Sequence, residues 1–350
     1  MPPTEPIVRT PRCVVIGYGQ AGRSIHAPLI RLTAGLELAG VCTRDPGRRA
    51  TAVADLACHT WDDYTTVLAD PTIDGVVLAT PTADHVSQAL AALAAGKHVV
   101  VDKPVCLDPA DLDRLAAAER ASGRSLVVFH NRRWDGDYLT VRRLLAAGVL
   151  GQLRVVEMGW GARGRPRSWR ATRAGGGGRV YDLGAHMIDQ LCQLMPSPPL
   201  TVYARMHAPL PDQDVESHAH LVLGFRDGAT GVIETGYLAA LPRPRFRLIG
   251  SDACFEKHGL DPQEEALRSG NLDGARENEA HYGWLSDGTT RSRVPTVPGY
   301  WRGFYEAVRD HLVTGAPNPV PLASVRTPVA VIAAAFRSAE RGTVEPILVA

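Results

Sequence analysis

Three groups of residues in this chain of 350 have types and spacings suited to chemistry. The first is Gly17-Tyr18-Gly19-Gln20-Ala21-Gly22, entered directly from the apolar run that starts at Cys13. A G-x-G-x-x-G run between a strand and a helix is a place for a pyrophosphate. The first glycine permits the tight turn, the second lets the backbone approach the ligand, and the third lets helix and strand pack closely. The helix that opens at Gln20, Ala21 and Gly22 offers unpaired N–H groups to the phosphates. The second group is Asp102-Lys103, at the end of the strand-like run His98–Val101. An ammonium at the carboxyl edge of a parallel sheet can stabilise a developing alkoxide. The third is Asp182 and His186, four residues apart, which a helix would turn to one side. Imidazole suits proton transfer near neutral pH. Together they fit hydride transfer between a dinucleotide and a secondary alcohol. His186 is then the general acid/base, Lys103 the electrostatic stabiliser, and Asp182 the group that orients histidine or substrate. Singly, each has a plainer reading: a surface lysine, a helix cap, a hydrogen-bonded core histidine.

The second strand-like run bears on which dinucleotide is bound. It ends Val41-Cys42-Thr43-Arg44-Asp45, with Thr43 where an NAD site usually carries an acid for the ribose 2′-hydroxyl. Thr43 can donate to a 2′-phosphate, Arg44 can pair with it, and Arg48 and Arg49 add positive potential. The expectation is NADP rather than NAD. The alternative gives Asp45 the acidic role and leaves the arginines in solvent.

The elements that must position these groups follow from periodicity. From Arg12 to Phe129, short apolar runs (Cys13–Gly17, Leu36–Cys42, Gly75–Thr80, His98–Val101, Leu126–Phe129) alternate with helical segments such as Ser87–Ala95 and Ala110–Ser122. Continuous apolar strands separated by helices predict a doubly wound parallel sheet of Rossmann type over 12–130. Beyond it, helices are predicted over Trp134–Ala147, Val180–Leu194, Tyr300–Thr314 and Ser324–Arg341. Extended runs at Leu153–Trp160, Leu200–Met206, His218–Phe225, Thr230–Tyr237 and Phe246–Gly250 alternate in part. The fold class is therefore α/β, with a C-terminal α+β domain over 131–350 that holds a large, mostly antiparallel sheet. Residues 1–11 read as a flexible leader.

Three segments carry a family resemblance. Ala95-Gly96-Lys97-His98-Val99-Val100-Val101-Asp102-Lys103-Pro104, Ala79-Thr80-Pro81-Thr82-Ala83-Asp84-His85 and Tyr181-Asp182-Leu183-Gly184-Ala185-His186-Met187-Ile188-Asp189 resemble the "AGKHV…EKP", "TP…H" and "DLGxHxID" motifs of the Gfo/Idh/MocA oxidoreductases. The likeness runs from about Arg12 to Val344. The run His130-Asn131-Arg132-Arg133-Trp134-Asp135 and Leu260–Leu267 resemble the branch that contains NADP-dependent scyllo-inositol dehydrogenases. Asp102 departs from the pattern, standing where the family has Glu. The resemblance implies that Thr80, Pro81, His85, Asp102, Lys103 and Asn131 face the cofactor. It likewise implies that Lys103, Asn131, Arg132, Asp182 and His186 face a cyclitol or sugar-like substrate. Arg163, Arg165, Trp169 and Arg170 match the branch's substrate loop in a shortened form.

That loop, Trp160–Arg179, holds six arginines and the run Gly175–Gly178. It reads as a lid over the substrate, and its arginines either bind an anionic group or form a solvated face. An anionic sugar derivative is accordingly the alternative substrate, and a non-catalytic NADP-sensing regulator the alternative function. His207, Asp212, Asp214, Glu216, His218 and His220 read as a loop leading into a strand, and no metal is expected. The formal charge of +1 gives no case for nucleic acid or a polybasic membrane module. The longest apolar stretches, such as Val76–Ala79 and Val329–Phe336, fall far short of the ~20 residues that span a bilayer. Six scattered cysteines without metal-ligand spacing suggest buried, reduced thiols in the cytoplasm. A homodimer or homotetramer through the C-terminal sheet is expected.

Overall fold

The computed structural model describes residues 7 and 9–349, which form two compact units. One contains Met1–Asn131, Glu264–Gly274 and Tyr300–Ser324; the other contains Arg132–Gln263, Ala275–Gly299 and Val325–Ala350. The chain thus returns to the first unit twice after leaving it.

In the first unit, β1 (Arg12–Ile16), β2 (Glu37–Cys42), β3 (His59–Trp61), β4 (Gly75–Leu78), β5 (His98–Asp102) and β6 (Leu126–Phe129) form a six-stranded sheet. All its pairs are parallel, in the order β3-β2-β1-β4-β5-β6. The strand sequences VVI, VVL, VVV and LVVF are buried along their whole length, so they show no alternation. Helices α1 (Ala27–Arg31), α2 (Pro46–Leu56), α3 (Tyr64–Ala69), α4 (Thr82–Ala94) and α5 (Ala110–Ser122) separate the strands. The strand order reverses between β1 and β4, the place where such sheets leave a crevice for a ligand. The expected leader lies largely outside the described residues. Its last residues are tied down: Arg9 forks onto Asp74 at 2.7 and 2.8 Å, and Ile7 N–H donates to Leu312.

The second unit opens with α6 (Gly136–Ala146), and α7 (Ala185–Leu194) lies among its strands. Helix α8 (Gln263–Arg268), all but its first residue, and α9 (Arg302–Thr314) belong to the stretches that return to the first unit, and α10 (Arg326–Arg341) closes the second. Its strands are β7 (Leu153–Gly161), β8 (Pro199–Met206), β9 (His218–Phe225), β10 (Thr230–Gly236), β11 (Phe246–Gly250), β12 (Cys254–Lys257), β13 (Gly283–Ser286), β14 (Arg291–Val294) and β15 (Glu345–Pro346). They form one sheet in the order β14-β13-β12-β11-β7-β10-β9-β8-β15, antiparallel except for β7 with β10. One face is apolar and packs on α7 and α10 through residues such as Val156, Leu221, Ile233, Ile188, Leu191 and Val331. Burying side chains of this size stabilises by ~1.5–3 kcal/mol each. Ser338 in α10 ties helix to sheet by accepting from Ala204 N–H at 2.9 Å.

Several sequence expectations change. The helix foreseen over Val180–Leu194 begins as a π-helical turn, Val180–Gly184. Strands β3, β12, β13, β14 and β15 were not anticipated. Residues 322–341 are long and apolar enough to cross a bilayer by length and composition, contrary to the reading of the apolar runs. In the fold, α10 packs on β8 and α7 as a core helix. Cys13, Cys42 and Cys106 are buried, and burial pushes the Cys42 thiol up to about 11; Cys58 and Cys192 are half-buried and Cys254 is exposed.

Candidate active site

The glycine run begins where β1 ends. Gly17 has φ +93°, a conformation that L side chains rarely adopt, and a Cβ there would stand 2.8 Å from the Ala79 carbonyl oxygen. A Cβ on Gly22 would fall 2.0 Å from the Gly17 carbonyl oxygen. Gly19 is different: only Arg48 Nη1, at 3.9 Å, lies near its missing Cβ. Sterics therefore demand the outer two glycines, and the middle one leaves open space beside its backbone. That is the cradle a pyrophosphate needs, with the turn Gly22–His26 and α1 behind it.

Around the end of β2, the Asp45 carboxylate accepts from Arg48 N–H at 2.9 Å and caps α2. Arg49 donates to the carbonyls of Thr43 and Arg44 at 2.8 and 2.9 Å, which fixes the turn. Arg44 and Arg48 are exposed, with Arg48 lying beside Gly19. Asp45 is thus occupied as a helix cap.

Lys103 follows directly after β5 and is half-buried. The Asp102 carboxylate accepts from Lys103 N–H at 2.8 Å, and its other oxygen faces His26 Nε2 at 3.7 Å. Burial pushes the Asp102 carboxyl up, but His26 and the Lys103 charge outweigh it and hold it well below the usual carboxylate range. The shorter acid therefore still engages Lys103, through the main chain. His85, which the resemblance places toward the cofactor, is held by main-chain groups on both sides. It is buried, with Nδ1 2.9 Å from the Pro104 carbonyl and Nε2 3.0 Å from the Thr80 carbonyl. Both ring nitrogens face main-chain acceptors, so His85 braces the loops after β4 and β5. Burial lowers its pKa. Thr80 Oγ1 donates to Gln88 at 2.6 Å, and Pro81 stands at the N-cap of α4. Asn131 is buried at the start of a 3-10 turn.

In the second unit, His186 is buried in the first turn of α7, its ring nearly parallel to Trp160 with centroids 6.4 Å apart. The Arg132 guanidinium lies over the same indole at 4.2 Å, and its Nη1 is 3.3 Å from Asp135. Arg132 is therefore buried in a polar layer. Gln190, one turn beyond His186, donates to the Arg132 carbonyl and accepts from Arg245. Arg245 in turn stands 3.3 Å from Asp137. Asp189 receives a two-pronged bond from Arg133 at 2.6 and 2.8 Å. Asp182 lies in the π-helical turn, so its four-residue spacing from His186 is not that of a continuous α-helix. Its carboxylate pairs with Arg179 at 3.1 Å, and Arg179 stacks on Tyr237 at 4.2 Å.

Sequence reasoning missed Gln190, Arg245 and the role of Glu216. Glu216 accepts from Val180 N–H at 2.8 Å, which anchors the π-helical turn, and burial pushes its carboxyl up. The expected glycine lid is a packed turn. Gly176, Gly177 and Gly178 are buried and donate to Arg173, Thr172 and Arg170, with Glu216 against Gly178. The arginines before it are exposed: Arg163, Arg165 and Arg167 line a cavity of about 670 Å³ with Asp212 and Gln213. Arg165 also donates to the Pro211 carbonyl, Arg170 stacks on Trp169 at 4.3 Å, and Arg173 holds Asp214.

On the outer face of the nine-stranded sheet, His218, His220 and Glu234 stand within 4.8 Å of one another. Glu234 was not foreseen as part of this group, because it comes from the neighbouring strand.

Residues 11–130 match the family model for GFO_IDH_MocA, an oxidoreductase family with an NAD-binding Rossmann fold. Residues 138–256 match the GFO/IDH/MocA C-terminal domain. The uncharacterized oxidoreductase YdgJ of Escherichia coli is 36% identical over 89% of this chain and 91% of its own. The scyllo-inositol 2-dehydrogenase (NADP(+)) IolW of Bacillus subtilis is 30% identical over 95% of each. Among solved structures, an NAD-binding protein from Listeria innocua superposes with a TM-score of 0.84 at 27% identity, covering 97% of both chains.

Proposed function

The chain belongs to the Gfo/Idh/MocA family of oxidoreductases, and from that premise we propose that it moves hydride between NADP and a secondary alcohol or ketone on a cyclitol or sugar-like substrate. The observation that carries the cofactor choice is the edge of β2. There Asp45 is occupied in capping α2, the exposed Arg44 follows a threonine where an acid would repel a 2′-phosphate, and the exposed Arg48 lies beside Gly19. Gly17, Gly19, Gln20, Ala21 and Gly22 would hold the pyrophosphate, and Thr43, Arg44 and Arg48 the 2′-phosphate. When bound, the dinucleotide supplies the hydride acceptor.

The remaining work falls to side chains. Lys103 stabilises the alkoxide that develops as the C–H bond breaks and lowers the pKa of the substrate hydroxyl. His186 takes that hydroxyl's proton, and returns it in the reverse direction. Asp182, held by Arg179, orients a substrate hydroxyl. Incubating the protein with inositols, inososes and keto-sugars, with NADP and NAD in parallel, tests this reading through absorbance at the reduced nicotinamide band. Turnover confined to NADP and a polyol supports it; no oxidation of NADPH by any of the panel favours the regulator.

The arginine-lined cavity favours a second reading, a dehydrogenase of an anionic sugar derivative. A KM that rises with ionic strength distinguishes it, because salt screens attraction to an anion. Self-association through the outer face of the nine-stranded sheet is also proposed, supported by the exposed Tyr203 and Val222, which are paired across β8 and β9. Light scattering reads the oligomer size. The proposed compartment is the cytoplasm.

A further inference from the structure

We propose that His218, His220 and Glu234 form a binding site for a divalent transition-metal ion, tested here as Zn²⁺, on the outer face of the nine-stranded sheet. The argument begins with strand geometry. His218 and His220 are two apart on β9, so both side chains leave the same face. β10 runs antiparallel beside it, and Glu234 stands directly opposite His220. The residue opposite His218 is Gly236, and a Cβ there would fall 2.2 Å from His218 Nδ1, so glycine makes room for the ring.

The donor atoms converge as a chelate requires. His218 Nε2 is 3.5 Å from Glu234 Oε1, and His220 Nε2 is 2.8 Å from Glu234 Oε2. Ligands on a tetrahedral zinc with bonds of ~2.0–2.1 Å stand roughly 3.4 Å apart, so small side-chain adjustments suffice. Two imidazoles and a carboxylate suit first-row transition metals, whereas Mg²⁺ and Ca²⁺ prefer all-oxygen sites. His207 stands beside both rings, its centroid 5.9 Å from that of His218 and 6.3 Å from that of His220, which adds a third imidazole to the neighbourhood. In the metal-free chain Arg243 donates to Glu234 at 2.9 Å. It can keep one carboxylate oxygen while the other binds metal, as an outer hydrogen-bond partner does. Metal takes the Nε2 lone pair of a neutral ring, whose single proton then sits on Nδ1, so coordination competes with ring protonation and weakens in acid. The site uses none of the residues assigned to hydride transfer.

Calorimetric titration of the chelator-stripped full-length chain with Zn²⁺ tests the proposal, with stoichiometry expressed per chain. The expected result is one Zn²⁺ per chain, no binding of Mg²⁺, and a loss of roughly tenfold or more in affinity in both His220→Ala and Glu234→Gln. The His220 side chain is 41% exposed within the single chain, and light scattering on each variant separates loss of metal from loss of self-association through this face. Cys254→Ser, which removes the exposed thiol, binds as the parent does. Unaltered Zn²⁺ affinity in both His220→Ala and Glu234→Gln, loss of binding in Cys254→Ser, or no binding by the parent overturns the site.

Discussion

His26 Nδ1 and Tyr305 Oη lie 2.7 Å apart in the interior of the first unit, joining the glycine-loop segment to α9 across 279 residues of sequence. The other ring nitrogen of His26 faces Asp102, and the ring rests on Phe129 with centroids 4.2 Å apart. A buried tyrosine and histidine thus stand behind the acid that precedes Lys103. Tyr305→Phe removes the partner of a buried ring nitrogen. It should cost about 1–3 kcal/mol, read from urea unfolding at neutral pH. No loss of stability would mean that the bond does not form.

Asp102 makes stability depend on pH. Its carboxyl is held below the usual range in the folded chain, against ~3.9 when unfolded. The folded state therefore binds fewer protons, and this contribution is complete above about pH 4–5 and disappears as pH falls through the folded value. Asp102→Asn should flatten the stability curve below pH ~4 and leave its shape above pH ~5 unchanged. Equilibrium unfolding across the acid range checks this, and a variant curve parallel to that of the parent contradicts it.

The glycine run separates folding from binding. Gly22→Ala forces a Cβ into the Gly17 carbonyl oxygen and should cost at least ~2 kcal/mol. Gly19→Ala meets no main chain and should fold with the parent's melting temperature, while losing roughly tenfold or more in NADPH affinity because its methyl occupies the phosphate approach. Fluorescence titration and thermal melting give the two readouts. A Gly19→Ala variant that binds normally would remove the pyrophosphate from this turn.

These separations also show what a sequence can display. Runs such as VVI and VVV, with glycines at the bend, announce the parallel sheet because burial on both faces and the turn sterics are local properties. β3, with the sequence HTW, is too short and polar to read, and β12 to β14 place charged or polar residues such as Glu256 and Arg293 on the outer face. Lys103, His186 and Asp182 could be singled out because they lie just after β5 and around the start of α7. The partners of these and neighbouring residues were not legible. Glu216 holds the π-helical turn from 36 residues away, Arg245 reaches Gln190 across 55, and Glu234 meets His220 only once β9 and β10 pair. Such contacts depend on register, which no local pattern encodes.

Arg133 and Asp189 give a test of the polar layer behind α7. Asp189 is almost fully buried, and Arg133→Ala deprives it of its two-pronged partner. A loss of about 3–5 kcal/mol is expected, much of it recovered in the double variant Arg133→Ala/Asp189→Ala, where the buried carboxylate is gone as well. Strictly additive losses would show that the two residues act separately.

The most direct measurement of the central claim pairs NADPH binding with NADPH oxidation in the parent, Lys103→Ala and His186→Ala, using whichever ketone of the panel the parent reduces fastest. Both variants should bind NADPH within about threefold of the parent and lose at least ~100-fold in kcat, the size of a general acid/base contribution. Near-normal turnover in either variant would contradict it.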